Sequence, residues 1–343
     1  MASACTPAGR AQARSAAGER EAPGDGTMRA LVTGGAGFIG SHVVDALVDE
    51  GHEVTVVDDL SRGHLSQVHP ASRFVHADVT GDLSDILGNA RPEVVFHHAA
   101  QIDVRLSVSD PVMDGWANVL GTVNLLQACA KVGVPRVVFA SSGGAVYGDT
   151  DVIPTPESHP LRPTSPYGAA KAASELYGGV YNRLSGMEFV ALRYSNVYGP
   201  RQDTHGEAGV VAIFVASLLR GEAPGIHGDG QQTRDYVYVA DVVAANLAAI
   251  QGPPGTYNVA TGVECDVNQL FARLIGAIGI TQAASHGPAK PGEQRRSCLD
   301  ASLAASRLGW TPRYPLDVGL RETVAFFRRG MGQVSLIATR FGG

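Results

Sequence analysis

The sequence predicts an α/β fold, a doubly wound parallel sheet carrying helices on both faces, with a smaller mixed α/β lobe toward the C-terminus. Three observations predict it. Short apolar strand candidates alternate with helical patterns from Met28 to about Val197. A glycine-rich turn, Gly34-Gly35-Ala36-Gly37-Phe38-Ile39-Gly40, joins the first strand candidate to the first helical run. From Gly199 onward the texture changes, with Gly and Pro clustered at 199–200, 224–230, 253–255 and 288–292.

The first strand is Arg29–Val32. The run after it spaces Ile39, Val43, Val44, Leu47 and Val48 as one helical face. Gly35-x-Gly37-x-x-Gly40 therefore spans a strand-to-helix turn, the setting in which this spacing marks a Rossmann-like dinucleotide site. Glycines let the backbone turn tightly and approach a pyrophosphate, and the free N–H groups at a helix start carry partial positive charge toward it. The second strand, Val54–Val57, ends in Asp58-Asp59. A carboxylate about 20 residues past the glycines is placed for the adenosine ribose hydroxyls and repels a 2′-phosphate, so NAD is favoured over NADP. Arg62 nearby softens that preference, and Asp59 is equally well explained as a turn residue.

Further strands are read at Phe74–Val75, Val94–Phe96, Val137–Ala140 and Phe189–Leu192, and long helices at Met113–Val132 and Ala169–Leu184. Crossovers between parallel strands should be right-handed. Tyr236–Ile250 and Thr256–Ala260 read as a helix and strand returning to the main sheet. The expected organisation is a disordered extension over 1–27, a dinucleotide-binding domain over 28–199 plus about 236–260, a substrate lobe over about 200–235 and 261–330, and a C-terminal tail over 331–343. Residues 1–27 lack the apolar core of a secretory signal and carry Glu19, Glu21 and Asp25 against a transit peptide. Met28, just before the first strand, is a candidate translation start.

Composition narrows the function classes. Of the 343 residues, 44% are hydrophobic and 17% charged, as in a soluble globular enzyme. The net charge of −6 gives no footprint for nucleic acid. No uninterrupted apolar segment is long enough to span a bilayer. Cys5, Cys129, Cys265 and Cys298 are scattered, without metal-like spacing or a disulfide framework, which suits a reducing cytoplasm.

The second chemical signal is Tyr167-x-x-x-Lys171 after Pro166. Residues four apart share a helical face, so phenol and ammonium enter one site. A phenol near pKa 10 is a poor base at neutral pH, and neighbouring positive charge is expected to lower it into use as a proton acceptor. Ser141-Ser142 follows the strand ending at Ala140, at the sheet edge where ligands bind. Ser142 is the candidate partner of the reacting hydroxyl and Ser141 the reserve; the other is a turn serine. His97 and His98 end an apolar strand and are expected to be packed rather than catalytic. Arg193, Arg295 and Arg296 are expected to pair with local carboxylates, and Asp235 and Asp241 to make structural contacts at a helix start.

With these residues in place, the chain resembles the extended short-chain dehydrogenase/reductase family, most closely its UDP-glucose 4-epimerase-like nucleotide-sugar 4-epimerases. The resemblance covers about Met28 to Phe327. It rests on TGGAGFIG (Thr33–Gly40), VVDDLSRG (Val56–Gly63), HHAAQIDV (His97–Val104), SSGGAVYG (Ser141–Gly148), YGAAK (Tyr167–Lys171), LRYSNVYGPRQ (Leu192–Gln202), TRDYVYVADV (Thr233–Val242) and PGEQRRSCLD (Pro291–Asp300). It implies bound NAD and a C4 epimerisation of UDP-glucose and UDP-galactose, extending to the N-acetylated pair. It further implies that Asp78 and Val79 meet adenine, that Ala99, Ala100 and Gln101 line the phosphates and nicotinamide ribose with Asn118 steadying them, and that Tyr194 and Ser195 approach the nicotinamide amide. Asn196, Arg234 and Glu293 are implied for the nucleotide sugar. Lys290 stands where the family usually has Arg, losing the planar fork. Ser297 aligns with the sugar-facing gate, where a small residue admits an N-acetyl group. A homodimer through the 113–132 and 169–184 helices follows by the same resemblance. The family's dehydratases carry an Asp-Glu pair, and its decarboxylases a Glu, where this chain has Gly143 and Gly144. The alternatives are a dehydrogenase, reductase or dehydratase acting on a dTDP- or GDP-sugar, and a non-catalytic NAD-binding regulator.

Overall fold

The computed structural model describes residues 26–204, 209–289 and 294–341, with side chains as far as 330. The expected extension, except Gly26 and Thr27, lies outside the described residues, as do Lys290 and Glu293. Six strands come first: β1 (Arg29–Thr33), β2 (Glu53–Asp58), β3 (Arg73–His76), β4 (Val94–His97), β5 (Arg136–Ser142) and β6 (Glu188–Tyr194). Between and around them run α1 (Phe38–Asp49), α2 (Ser84–Ala90), α3 (Val104–Ser109), α4 (Pro111–Asp114), α5 (Gly121–Val132), the single turn α6 (Gly143–Val146) and α7 (Pro166–Ser185). A π turn, Gly115–Leu120, joins α4 to α5.

The second half adds β7 (Asn196–Tyr198), α8 (Val210–Leu219), β8 (Gly225–His227), β9 (Thr233–Tyr238), α9 (Val239–Gln251), β10 (Gly255–Val259) and β11 (Glu264–Asp266). It closes with α10 (Val267–Ile278), β12 (Ser285–Gly287), α11 (Ser302–Leu308) and α12 (Leu316–Phe341).

The main sheet has seven strands in the order β10-β6-β5-β4-β1-β2-β3, all parallel. Strand order reverses at β1, which pairs with β2 on one side and β4 on the other. Ligands in such sheets bind in the crevice beyond the carboxyl ends at that reversal. Alternate residues of each strand feed opposite cores. Val32, Val56, Phe96, Val138 and Leu192 pack with α1 and α9 on one face. Leu31, Val57, Val95, Val137 and Phe139 pack with α2 and α5 on the other.

A three-stranded sheet, β11-β9-β7, and the pair β12-β8 stand apart from the main sheet, over a third core of Phe214, Ile226, Tyr236 and Leu270. One reading of the sequence is corrected here. Tyr236–Tyr238 are the end of strand β9, not the start of the returning helix, which begins at Val239. Aromatic and β-branched residues favour a pleated surface, and all three are buried.

Candidate active site

At the end of β1, Gly34 has φ +68, and a Cβ there would lie 2.5 Å from the Ala99 nitrogen. Only glycine fits so close a pass between β1 and the loop after β4. At Gly40 a Cβ would lie 2.2 Å from the Gly34 carbonyl oxygen, so α1 packs its first turn directly on the turn before it. Gly37 caps α1 with no side-chain hydrogen bond. The first N–H groups of a helix have no partner within it, so those of Phe38 and Ile39 suit an anion. Asp58, buried at the end of β2, accepts from Ala36 N at 3.0 Å and Leu60 N at 2.9 Å, which places its carboxylate against the glycine turn. A bare glycine cradle, an uncapped helix start and a carboxylate one strand away fit a dinucleotide. Asp59 instead receives Ser61 N and Oγ as an exposed turn residue. Arg62 faces Asp103 at 3.7 Å, a carboxylate that competes for its charge.

Beyond β3, Asp78 is exposed and accepts from Thr80 N, while Val79 is buried beneath Gly121. In the loop after β4, Gln101 donates from Nε2 to Asp114 Oδ1 at 2.9 Å, and its backbone N–H and carbonyl both bond the Asn118 amide at 2.9 Å. Ala99 and Ala100 lie in the same loop. Asn118 sits in the π turn, a helix irregularity common at functional sites. Its carbonyl accepts from Thr122 Oγ1 at 2.6 Å. That uses the Thr122 proton, so the His97 Nε2–H donates to Thr122 Oγ1 at 3.0 Å and Nδ1 accepts from Thr33 at 2.7 Å. His97 is a packed, neutral histidine, its pKa pushed to about 3 by burial and by Lys171. His98 stacks on Tyr194 with centroids 6.4 Å apart. Tyr194 is buried and its hydroxyl is hydrogen-bonded to Asn246.

The phenol and the ammonium enter from α7. Ser165 caps the helix, accepting from Gly168 N at 3.1 Å, and Pro166 follows at the first position. A Cβ on Gly168 would lie 2.4 Å from the Ala145 carbonyl oxygen, so the first turn of α7 rests on the segment after β5. This contact brings Tyr167 beside Ser142, whose hydroxyl favours its phenolate. Lys171 is buried, with Nζ donating to the Ala140 carbonyl at 2.8 Å and lying 5.8 Å from the Tyr167 ring centroid. Ser141 points to the opposite face and donates to Glu175. Of the two serines, Ser142 is the one beside the phenol.

The expected lowering of the phenol is not what the protein alone provides. Burial, the largest effect, pushes Tyr167 up to about 12, outweighing the opposite pull of the Ser142 hydroxyl. Burial also brings Lys171 down to about 8. Desolvation disfavours both charged forms, and sequence spacing does not report it.

Nothing in the sequence singles out Asp114, the last residue of α4. It is buried, accepts from Gln101 and Asn118 through Oδ1 at 2.9 Å each, and leaves Oδ2 without a hydrogen bond.

The substrate side is less concentrated. Asn196 is exposed on β7, and Arg234 on β9 donates to the Thr233 carbonyl at 2.8 Å. Ser297 is buried, its Oγ 4.0 Å from where a Gly144 Cβ would be. At Gly143 a Cβ would meet Leu299 at 2.3 Å, so no larger side chain fits there without rearrangement. Asp235 is structural, though on a strand rather than at a helix start. It accepts from Thr261 and Gly262. Asp241, in the first turn of α9, accepts from Arg313 N and Tyr314 N. Arg193, Arg295 and Arg296 pair with Glu175, Asp229 and Glu264.

A sequence model of the NAD dependent epimerase/dehydratase family matches residues 30–260, more than half of the chain and all of the crevice residues above from β1 to β10. The chain belongs to this family. Among family relatives, a UDP-glucose 4-epimerase of Mycolicibacterium smegmatis is 48% identical over 310 residues, covering 88% of this chain and 99% of that protein. A solved Thermotoga maritima UDP-glucose 4-epimerase with UDP-glucose is 45% identical with a TM-score of 0.87, covering 89% of this chain and all of that one. The Thermus thermophilus UDP-glucose 4-epimerase complex with NAD is 44% identical with a TM-score of 0.83, over 88% of this chain and 99% of that one. The seven-stranded parallel sheet is thus the epimerase/dehydratase family's own fold. Among the described residues no helix is long and apolar enough to cross a membrane.

Proposed function

We propose that this protein is an NAD-dependent nucleotide-sugar C4 epimerase interconverting UDP-glucose and UDP-galactose. One observation carries the reading: Ser142, Tyr167 and Lys171 converge at the sheet edge, and the adjoining positions are Gly143 and Gly144. The Gly34–Gly40 turn, Phe38 and Ile39 hold the dinucleotide diphosphate, Asp58 the adenosine ribose, Asp78 and Val79 the adenine, and Ala99, Ala100 and Gln101 the nicotinamide side. When bound, NAD⁺ supplies the acceptor and donor of the C4 hydride and a positive charge that favours the Tyr167 phenolate.

The chain's own work is acid–base. Tyr167 takes the proton of the C4 hydroxyl as the carbonyl forms, with Ser142 hydrogen-bonded to the same oxygen. Lys171 holds positive charge beside the phenolate. After the keto sugar turns its other face, Tyr167 returns the proton. Gly143 and Gly144 offer no second acid or base, so elimination and decarboxylation have no catalyst. Arg234 and Asn196 grip the nucleotide diphosphate and sugar. Incubation with UDP-galactose tests this by the appearance of UDP-glucose; absence of any C4 epimer across UDP, dTDP and GDP sugars refutes it.

The small gate extends the substrate range. Ser297 beside Gly144 leaves room for an N-acetyl group, so UDP-GlcNAc is accepted as well. Replacing Ser297 with Tyr is expected to lower kcat/KM for UDP-GlcNAc at least about tenfold more than for UDP-glucose. Equal losses on both substrates count against the gate.

Residues 28–199 with about 239–260 form the dinucleotide domain in this reading, the remainder to 330 the substrate lobe. A second copy of the chain is the expected partner. Trp116, Leu120, Leu176, Val180 and Leu184 are exposed, Leu184 to 79%. Trp116 and Leu120, and Leu176, Val180 and Leu184, follow spacings of four on adjoining helices, the stripe a twofold helix bundle buries. The variant Leu176→Glu/Val180→Glu is expected to sediment as a monomer where the unmodified protein sediments as a dimer. A wild-type monomer at micromolar concentration contradicts the assignment. Buried free thiols at Cys129, Cys265 and Cys298 support a reducing cytoplasm as its location.

A further inference from the structure

Lys171 is a buried cation, and a buried ammonium sheds its proton unless an opposite charge compensates it. Its hydrogen bond to the Ala140 carbonyl supplies a dipole but no charge. Two carboxylates flank it: Glu175 lies one turn further along α7, and Asp114 is tied to the same helix through Asn118, whose amide donates to Asp114 Oδ1 at 2.9 Å and whose carbonyl accepts from Ser174 Oγ at 3.2 Å. Glu175 is bound by the Arg193 guanidinium through both oxygens and by Ser141, so its charge is already balanced. Among the described residues Asp114 has no cationic hydrogen-bond partner. Gln101 and Asn118, both neutral, occupy Oδ1, and Oδ2 is buried and bare.

We propose that Asp114 is a positioning residue whose buried carboxylate, anchored through Oδ1 to Gln101 and Asn118, supplies the counter-charge that keeps Lys171 an ammonium beside Tyr167. This rests on the epimerase reading for its catalytic meaning, while its electrostatic content belongs to the protein alone. The same carboxylate opposes ionisation of the Tyr167 phenol, and burial raises Asp114 itself above the usual carboxylate range. His97 and His98 at the end of β4 are held neutral by burial, Glu175 on α7 is paired, and Asp103 in the neighbouring loop faces Arg62.

Asp114 therefore biases both members of the catalytic pair in the same sense. Removing its charge lowers the pKa of Lys171 and the pKa of Tyr167 together. Both limbs of the pH profile of kcat then move toward acid, the acid limb through Tyr167 and the alkaline limb through Lys171.

The chain has three lysines, Lys131, Lys171 and Lys290, which makes a direct measurement practical. Protein carrying isotopically labelled lysine side chains is titrated by NMR without substrate, with Lys131→Arg and Lys290→Arg assigning the signals. The substitution Asp114→Asn keeps an Oδ1 able to accept from Gln101 and Asn118. It is expected to lower the Lys171 midpoint by about one unit, tenfold in its ionisation constant, and to shift both limbs of the kcat profile toward acid while the melting temperature stays close to that of the unmodified protein. An unchanged Lys171 midpoint overturns the proposal, as does lowered activity at every pH with unmoved limbs. If the variant does not fold, the unmodified protein decides: a Lys171 midpoint below 7 means that no effective counter-charge exists. The titration needs no turnover, so it stands or falls separately from the assignment of substrate.

Discussion

Tyr167→Phe is expected to lower kcat by about 100- to 10,000-fold, the range that a positioned acid–base group contributes. Phenylalanine keeps the ring that packs near Lys171 and the first turn of α7, whose cap at Ser165 and contact at Gly168 are untouched. What disappears is the hydroxyl beside Ser142. Dinucleotide affinity, read by fluorescence titration, should change little, since the substitution leaves the glycine turn and Asp58 untouched. A variant that binds the dinucleotide normally and barely turns over is the signature of a lost proton carrier. Unaltered turnover would place the chemistry elsewhere.

Arg193→Met is expected to destabilise the fold by about 3–5 kcal/mol, because it strands a buried carboxylate. Arg193 and Glu175 are each 6% exposed at their side chains and meet at 2.6 Å. The guanidinium also donates to Tyr147 Oη at 2.8 Å and stacks over that ring, while Tyr147 donates to Asn258. One side chain thus ties α7 to β6 and to the segment after β5. The melting temperature should fall on the order of 10 °C. Adding Glu175→Leu should recover part of the loss by removing the unpaired charge. A single variant that melts like the unmodified protein would mean that Glu175 is not effectively buried.

These two residues illustrate what the sequence made legible. The glycine turn, the carboxylate after β2 and the Tyr-Lys pair depend on local spacing, which a linear pattern records. The seven main-sheet strands were readable because each is a short apolar run between helices or turns. The identity of Glu175 as the partner of Arg193 comes from the packing of α7 on β6, and the bare oxygen of Asp114 from the loop after β4 folding onto the π turn. The alternation of Tyr236-Val237-Tyr238 runs without a break into the helix at Val239, so periodicity alone misplaced that boundary. The rise of the Tyr167 phenol to about 12 comes first from burial, which neighbour spacing cannot express.

In the proposed cycle C4 is oxidised transiently and the ketone is not diverted. UDP-galactose deuterated at C4, incubated in ordinary water and followed by NMR, tests it most directly. The expected product is UDP-glucose with the deuterium still at C4, without accumulation of reduced nicotinamide. Loss of the label to water, a 4-keto-6-deoxy product, or steady growth of reduced nicotinamide would contradict it.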